Sequence, residues 1–135
     1  MKVAFIYNDI YRNSVFGESH PITNKRISNV YDLSKIINFN NVTYYKSSIA
    51  SVNQLSMFHD KDYITALYEA EKKQEVSLEN IKKYNIGTAS NPIFTEMYKR
   101  HAVATGSLIL GSDLILKGAL ATYLKVAHFY HTLGR

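Results

Sequence analysis

No cysteine occurs among the 135 residues, which excludes a disulfide framework, a thiolate zinc site and a cysteine nucleophile. The absence agrees with a reducing cytoplasm and leaves a small core with no covalent cross-link to support it. Long apolar runs are missing too. Val3-Ala4-Phe5-Ile6-Tyr7 follows one lysine and is too short for a signal-peptide core and far too short to span a bilayer. The chain therefore reads as soluble and cytoplasmic, with no membrane partner. Also lacking are a phosphate-cradling glycine-rich loop, a Gly-x-Ser-x-Gly elbow and a His-Glu-x-x-His helix. Histidines and carboxylates are left to carry any chemistry.

Hydrophobic residues at 46% and charged residues at 20% are ordinary globular usage and argue against disorder. The length suits one domain, 1–135, with no room for a second of typical size. A formal charge of +5 and a pI near 9.3 raise the question of nucleic acid, because clustered cations gain free energy by releasing phosphate counterions. The clustering is weak, and nucleic-acid binding through the lysine pairs is the weakest of the readings. Lys72-Lys73, Lys82-Lys83 and Lys99-Arg100 are separated pairs with Glu69, Glu71, Glu75 and Glu79 interleaved, the pattern of solvated helix faces.

The continuous run from Val3 to Tyr7 has the pattern of a strand buried on both faces of a parallel sheet. The polar stretch from Tyr11 to Asn24, with Gly17 and Pro21, reads as a long loop, and such loops are usually functional. Ile27, Val30, Tyr31 and Ile37, with Leu33 and Ile36 beside them, predict a helix over about 25–38, stopped by Asn38, Asn40 and Asn41. Val42-Thr43-Tyr44-Tyr45 reads as a strand. Ser51, Asp60 and Ser77 are candidate caps of three following helices, the second burying Tyr63, Ile64, Leu67 and Tyr68. Gly87 suits a turn or carboxy-terminal cap. A long helix is expected from about Thr95 to Lys117, its small residues allowing close approach to a neighbour. After a break at Gly118 the tail keeps both strand alternation and helical spacing, and the expectation is helix over 119–135.

Local chemistry is sparse. His128 and His131, at i, i+3 spacing, would put two imidazoles on one helix face, but two ligands without a nearby carboxylate do not make a zinc site. Asp60 and Asp62 open a helix, where capping and the helix dipole select carboxylates. His101, between Lys99-Arg100 and Ala102, reads as a surface or boundary residue.

Three segments, in order and in register, carry a resemblance over nearly the whole chain up to about Gly118. The first is Tyr7-Asn8-Asp9 followed by Phe16-Gly17-Glu18-Ser19-His20-Pro21 and Lys25-Arg26-Ile27; the second runs from Leu55 through His59 to Tyr63-Ile64. The third is Tyr84-Asn85-Ile86-Gly87-Thr88-Ala89-Ser90-Asn91-Pro92-Ile93-Phe94 with the helix after it. Together they resemble the amino-terminal part of the histone deacetylase and acetoin-utilisation family, with its opening strand and His-Pro…Arg entrance loop, its L-x-x-x-H-x-x-x-Y helix junction and its N-x-G-T-x-D-x-P-x-F loop.

The resemblance implies an α/β fold, the front portion of an arginase-deacetylase three-layer sandwich with a small, mostly parallel sheet and helices on both faces. It implies zinc-dependent hydrolysis of acetylated amines, with a histidine as general base and with the metal ligands beyond Arg135. His20, Pro21 and Arg26 would then shape the mouth of a substrate channel, beside Ser90, Asn91 and Pro92. Ser90 stands where the family commonly has a substrate-orienting aspartate, which puts peptide-type substrates in question. Near the family's histidine pair only His131 aligns, making it the one matched candidate for the base. The loss of resemblance after Gly118 reads as truncation with a divergent tail. For this chain the expectation is therefore a catalytically silent homo-oligomer that binds no zinc.

Overall fold

The computed structural model describes residues 2–12, 25–118 and 122–125. Three parallel strands, β1 (Val3–Tyr7), β2 (Val42–Lys46) and β3 (Thr122–Lys125), form a sheet in the order β2-β1-β3. Between them lie α1 (Lys25–Ile37), α2 (Val52–Leu55), α3 (Lys61–Lys73), α4 (Leu78–Tyr84) and α5 (Met97–Leu116), and a 3-10 turn, Asp9–Arg12, follows β1. No helix among the described residues is long and apolar enough to cross a membrane.

The apolar run at the start becomes the central strand, with Val3 opposite both Val42 and Thr122 and with Ala4, Phe5, Ile6 and Tyr7 buried. Because strand side chains alternate, Phe5 and Tyr7 pack with Tyr11, Ile27, Tyr31 and Tyr44, while Ala4 and Ile6 pack with Tyr45, Leu110 and Leu114. Helix α1 thus lies on one face and α5 on the other, the sandwich that the resemblance implied. Tyr31 stacks on Tyr7 with ring centroids 4.1 Å apart and meets Tyr44 edge-on at 5.8 Å, fixing α1 against the sheet.

Helix α1 buries part of the expected stripe: Ile27 and Tyr31 join the core, while Val30 and Ile37 do not. Ile27, Ser28 and Ser34 face the sheet, whereas Leu33, Ile36 and Ile37 are exposed. The aromatic pairs set the rotation, and the small serines let the helix sit close. Tyr7 and Tyr11 supply the polar partners: Ser28 Oγ donates to the Tyr11 carbonyl at 2.9 Å, so the Tyr7 hydroxyl donates to Ser28 Oγ at 3.1 Å. Ser28→Ala leaves both groups buried without this partner and is expected to cost about 2 kcal/mol in a urea unfolding experiment. Tyr7→Phe removes only one donor and is expected to cost less. Equal losses in the two variants would mean that the hydroxyl chain carries no weight.

The caps follow the sequence reading in part. Ser51 forms a full capping box with Gln54, and Ser77 Oγ accepts from Asn80 N at 3.2 Å. Asp60 holds the N-cap position of α3 but makes no side-chain capping bond. Along α3, Ile64, Ala66, Leu67 and Ala70 are buried, while Tyr68 is largely exposed against Tyr98. The small-residue character of α5 does what was expected: Gly106 lies against the backbone of Ser48, and Ala50 N donates to the Ala102 carbonyl at 3.0 Å.

The tail corrects the sequence reading. Gly118 breaks α5 at φ +65°, but Thr122–Lys125 is then a strand paired with β1, not a helix. The other tail residues, His128 and His131 included, lie outside the described residues.

Candidate functional site

In open parallel sheets, ligands bind beyond the carboxyl ends of the strands, where successive connections leave in opposite directions. Here the chain passes from β1 to β2 on one side and later returns to β3 on the other, so that point lies between β1 and β3. Asn8 closes the end of β1: its Nδ2 donates to the Ser47 carbonyl at 2.7 Å and its Oδ1 accepts from Ile10 N at 3.0 Å. Tyr11 is buried behind it, and burial pushes its phenol up to about 12, partly opposed by the charge of Arg100. Burial pulls Arg100 below its usual range, and its ion pair with Glu96 at 3.2 Å partly offsets that cost. At the surface, Arg12 forks onto both oxygens of Asp32 at 2.9 and 3.0 Å, and this bonding holds the carboxyl below its ordinary range.

The second region is the connection from α4 to α5. Asn85 ends α4 in the left-handed conformation, and Gly87 follows at φ +79°, with its open side against Val76. Gly87 N donates to the Asn91 carbonyl at 2.8 Å, and Asn91 N returns a bond to Thr88 at 3.1 Å. Asn91 Nδ2 and Thr88 Oγ1 both donate to the Asn85 carbonyl, so the 3.3 Å contact between Ser90 and Thr88 has Ser90 as donor. Beneath this loop Ile86 is fully buried against Ala66, Leu67, Ala70 and Met97.

Beside the loop opens a cleft of about 370 Å³ between the α2–α3 junction and the first half of α5. Leu55, Ile64, Leu67 and Met97 line it, with His59, Asn91, His101 and Thr105 as polar members. His59 stands between Phe58 and Tyr63, with ring centroids 4.9 and 5.6 Å away. His101 is half-buried, and its pKa is lowered by burial first and then by the charges of Arg100 and His59.

Of the site residues chosen from sequence, Asn91 lines this cleft. Ser90 and Pro92 are exposed on the same loop, and Arg26 is exposed in the first turn of α1. His20, Pro21 and His131 lie outside the described residues. The cleft itself was missed, although the Leu55…His59…Tyr63 spacing marked one of its walls.

Residues 20–129 match the histone deacetylase domain. This chain belongs to the histone deacetylase family. Among relatives of this deacetylase-family chain, the acetoin utilization protein AcuC of Bacillus subtilis (strain 168) is 30% identical over 116 residues, which are 85% of this chain and 30% of that protein. AcuC of Staphylococcus aureus (strain MSSA476) is 27% identical over 120 residues, covering 87% of this chain and 30% of its own length. The crystal structure of an HDAC homologue from Aquifex aeolicus superposes with a TM-score of 0.72 at 31% identity, over 87% of this chain and 32% of that one. An HDAC homologue complexed with SAHA gives 0.71 at the same identity. The family member thus spans about a third of the length of the relatives it matches.

Zinc, the family's metal, can be tested against the residues in hand. Among the described residues no group of three or more histidine or acidic side chains is placed to share an ion. The cleft offers imidazoles but no carboxylate, so the described part of this deacetylase-family chain does not fit a zinc site.

Proposed function

We propose that this chain supplies the opening strands and a substrate-side wall of a deacetylase fold and does not, by itself, hydrolyse acetylated amines. The observation that carries the reading is a division within the chain. The family match runs over residues 20–129, which take in helices α1 to α5, β2, β3 and the Asn85–Phe94 loop, while no ligand set for zinc assembles among the described residues. Hydrolysis at a zinc-bound acetyl group needs a complete and correctly oriented shell. Arg26 and the Ser90-Asn91-Pro92 loop, with His20 and Pro21, then act as entrance residues. Ser90, bonded to Thr88 in place of the family's aspartate, offers no negative charge to orient a peptide backbone.

The test is elemental analysis of the purified chain after zinc loading and removal of loose metal, paired with turnover of an acetyl-lysine peptide with and without chelator. No retained zinc and no chelator-sensitive turnover are expected. Stoichiometric zinc together with chelator-sensitive turnover would overturn the reading.

A self-associating, non-enzymatic role is favoured by a separate observation: Val30, Leu33, Ile36 and Ile37 on α1, followed by Phe39, leave an apolar surface on one side of the sandwich. Light scattering behind size exclusion should then give a dimer or larger. A monomer at every concentration would remove that reading.

A further inference from the structure

The cleft between α2–α3 and α5 has the volume of a small-molecule site, and its walls are apolar apart from a few convergent polar groups. Those polar groups share one electrostatic character. His59 and His101 are both cationisable, Asn91 and Thr105 are neutral, and among the described residues no aspartate or glutamate belongs to the lining. Arg100 and His59 both lower the pKa of His101 through charge. Neither imidazole has a role in the deacetylase reading.

We propose that this cleft binds a small apolar monocarboxylate, its hydrocarbon tail on Leu55, Ile64 and Leu67 and its carboxylate against the His59–His101 pair. Charge complementarity selects the acid over its neutral analogues. An anion placed there meets only neutral or positive groups and favours the protonated imidazole. Apolar burial supplies affinity: each methylene removed from water contributes about 0.8 kcal/mol, so a chain of several carbons binds measurably and acetate does not. The proposal does not depend on the deacetylase reading, because it concerns walls that the described residues form by themselves.

Binding should also be linked to pH. The titratable groups that share the cleft with His101 are His59 from the α2–α3 junction, Tyr63 from α3 and Tyr98 from α5; Arg100 is felt through its charge, and Glu71 of α3, paired with Lys99, acts on Tyr98. Burial first, then charge repulsion from Arg100 and from His59 when protonated, favours neutral imidazole at His101 in the free cleft, and a bound carboxylate favours the charged form. Between the free and bound pKa values, affinity then falls by up to about tenfold for each unit of rising pH.

The experiment is an NMR titration of the full 135-residue chain with sodium octanoate, following the histidine imidazoles, with octanamide as the neutral control. Saturable shifts at His59 and His101, at least about tenfold weaker binding of octanamide and tighter binding at lower pH are expected. His101→Gln should lose most of the preference for the acid over the amide while still binding the tail. Equal binding of octanamide, or unsaturated shifts spread over the exposed apolar face of α1, would overturn the proposal. So would absence of saturation at millimolar octanoate. These outcomes are read on the unaltered chain, so they hold even where a variant fails to fold.

Discussion

Gly106→Ala is expected to cost about 3 kcal/mol and to be the most damaging glycine-to-alanine change among the described residues. A Cβ at this position would lie far inside contact distance of the Ser48 carbonyl oxygen, a backbone atom that no rotamer change can move aside. The neighbouring hydrogen bond from Ala50 N to the Ala102 carbonyl holds the 48–50 segment against α5 from the other direction, so relief requires moving the helix or breaking that bond. Both responses disturb the packing of Val103 under the sheet. Urea unfolding of the variant should show the midpoint collapse. Ser107→Ala, on the same buried stretch, only loses a bond back to the Val103 carbonyl and should cost less than about 1 kcal/mol. If Gly106→Ala were no worse than Ser107→Ala, the close approach of helix and chain would be wrong.

Ile86→Ala comes next, at about 3 kcal/mol, an ordinary cost for emptying a fully buried isoleucine position. Its location makes it informative. Ile86 is in a connection, not in a helix or strand, yet has no exposed surface, and it pins the Asn85–Phe94 loop to Ala66, Leu67, Ala70 and Met97. The cavity would open directly below Gly87 and Asn91, so hydrogen exchange at those amides, which are held by the paired bonds across the loop, should rise along with the loss of stability. Unchanged exchange at Asn91 in a destabilised variant would show that the loop is held by its own hydrogen bonds and not by the core beneath it.

The sequence made some of this legible for specific physical reasons. Val3–Tyr7 could be read as a buried strand because a continuous apolar run flanked by polar residues has few other solutions, and Ser51 and Ser77 because capping is local chemistry. The family motifs were readable because their glycine, proline and aromatic positions are set by backbone geometry, as Gly87 shows at φ +79°. What could not be read was decided at a distance. Helix α1 carries apolar residues around much of its circumference, and only the tyrosines of β1 and β2 select Ile27 and Tyr31 over Leu33 and Ile36. Thr122–Lys125 fits both periodicities, and the free edge of β1 decides it. His101 read as a surface or boundary residue and His59 as part of a helix junction, because their sequence separation conceals one shared cleft.

The strand order has a consequence for how the molecule is made. Val3 must find Thr122 on one side and Val42 on the other, so during ribosomal synthesis one edge of the first strand waits, with its backbone donors and acceptors unpaired, until the residues through Lys125 have emerged. For that interval β1, α1 and β2 form a parallel βαβ unit with an open flank, the period in which a chaperone or a misplaced strand competes with β3.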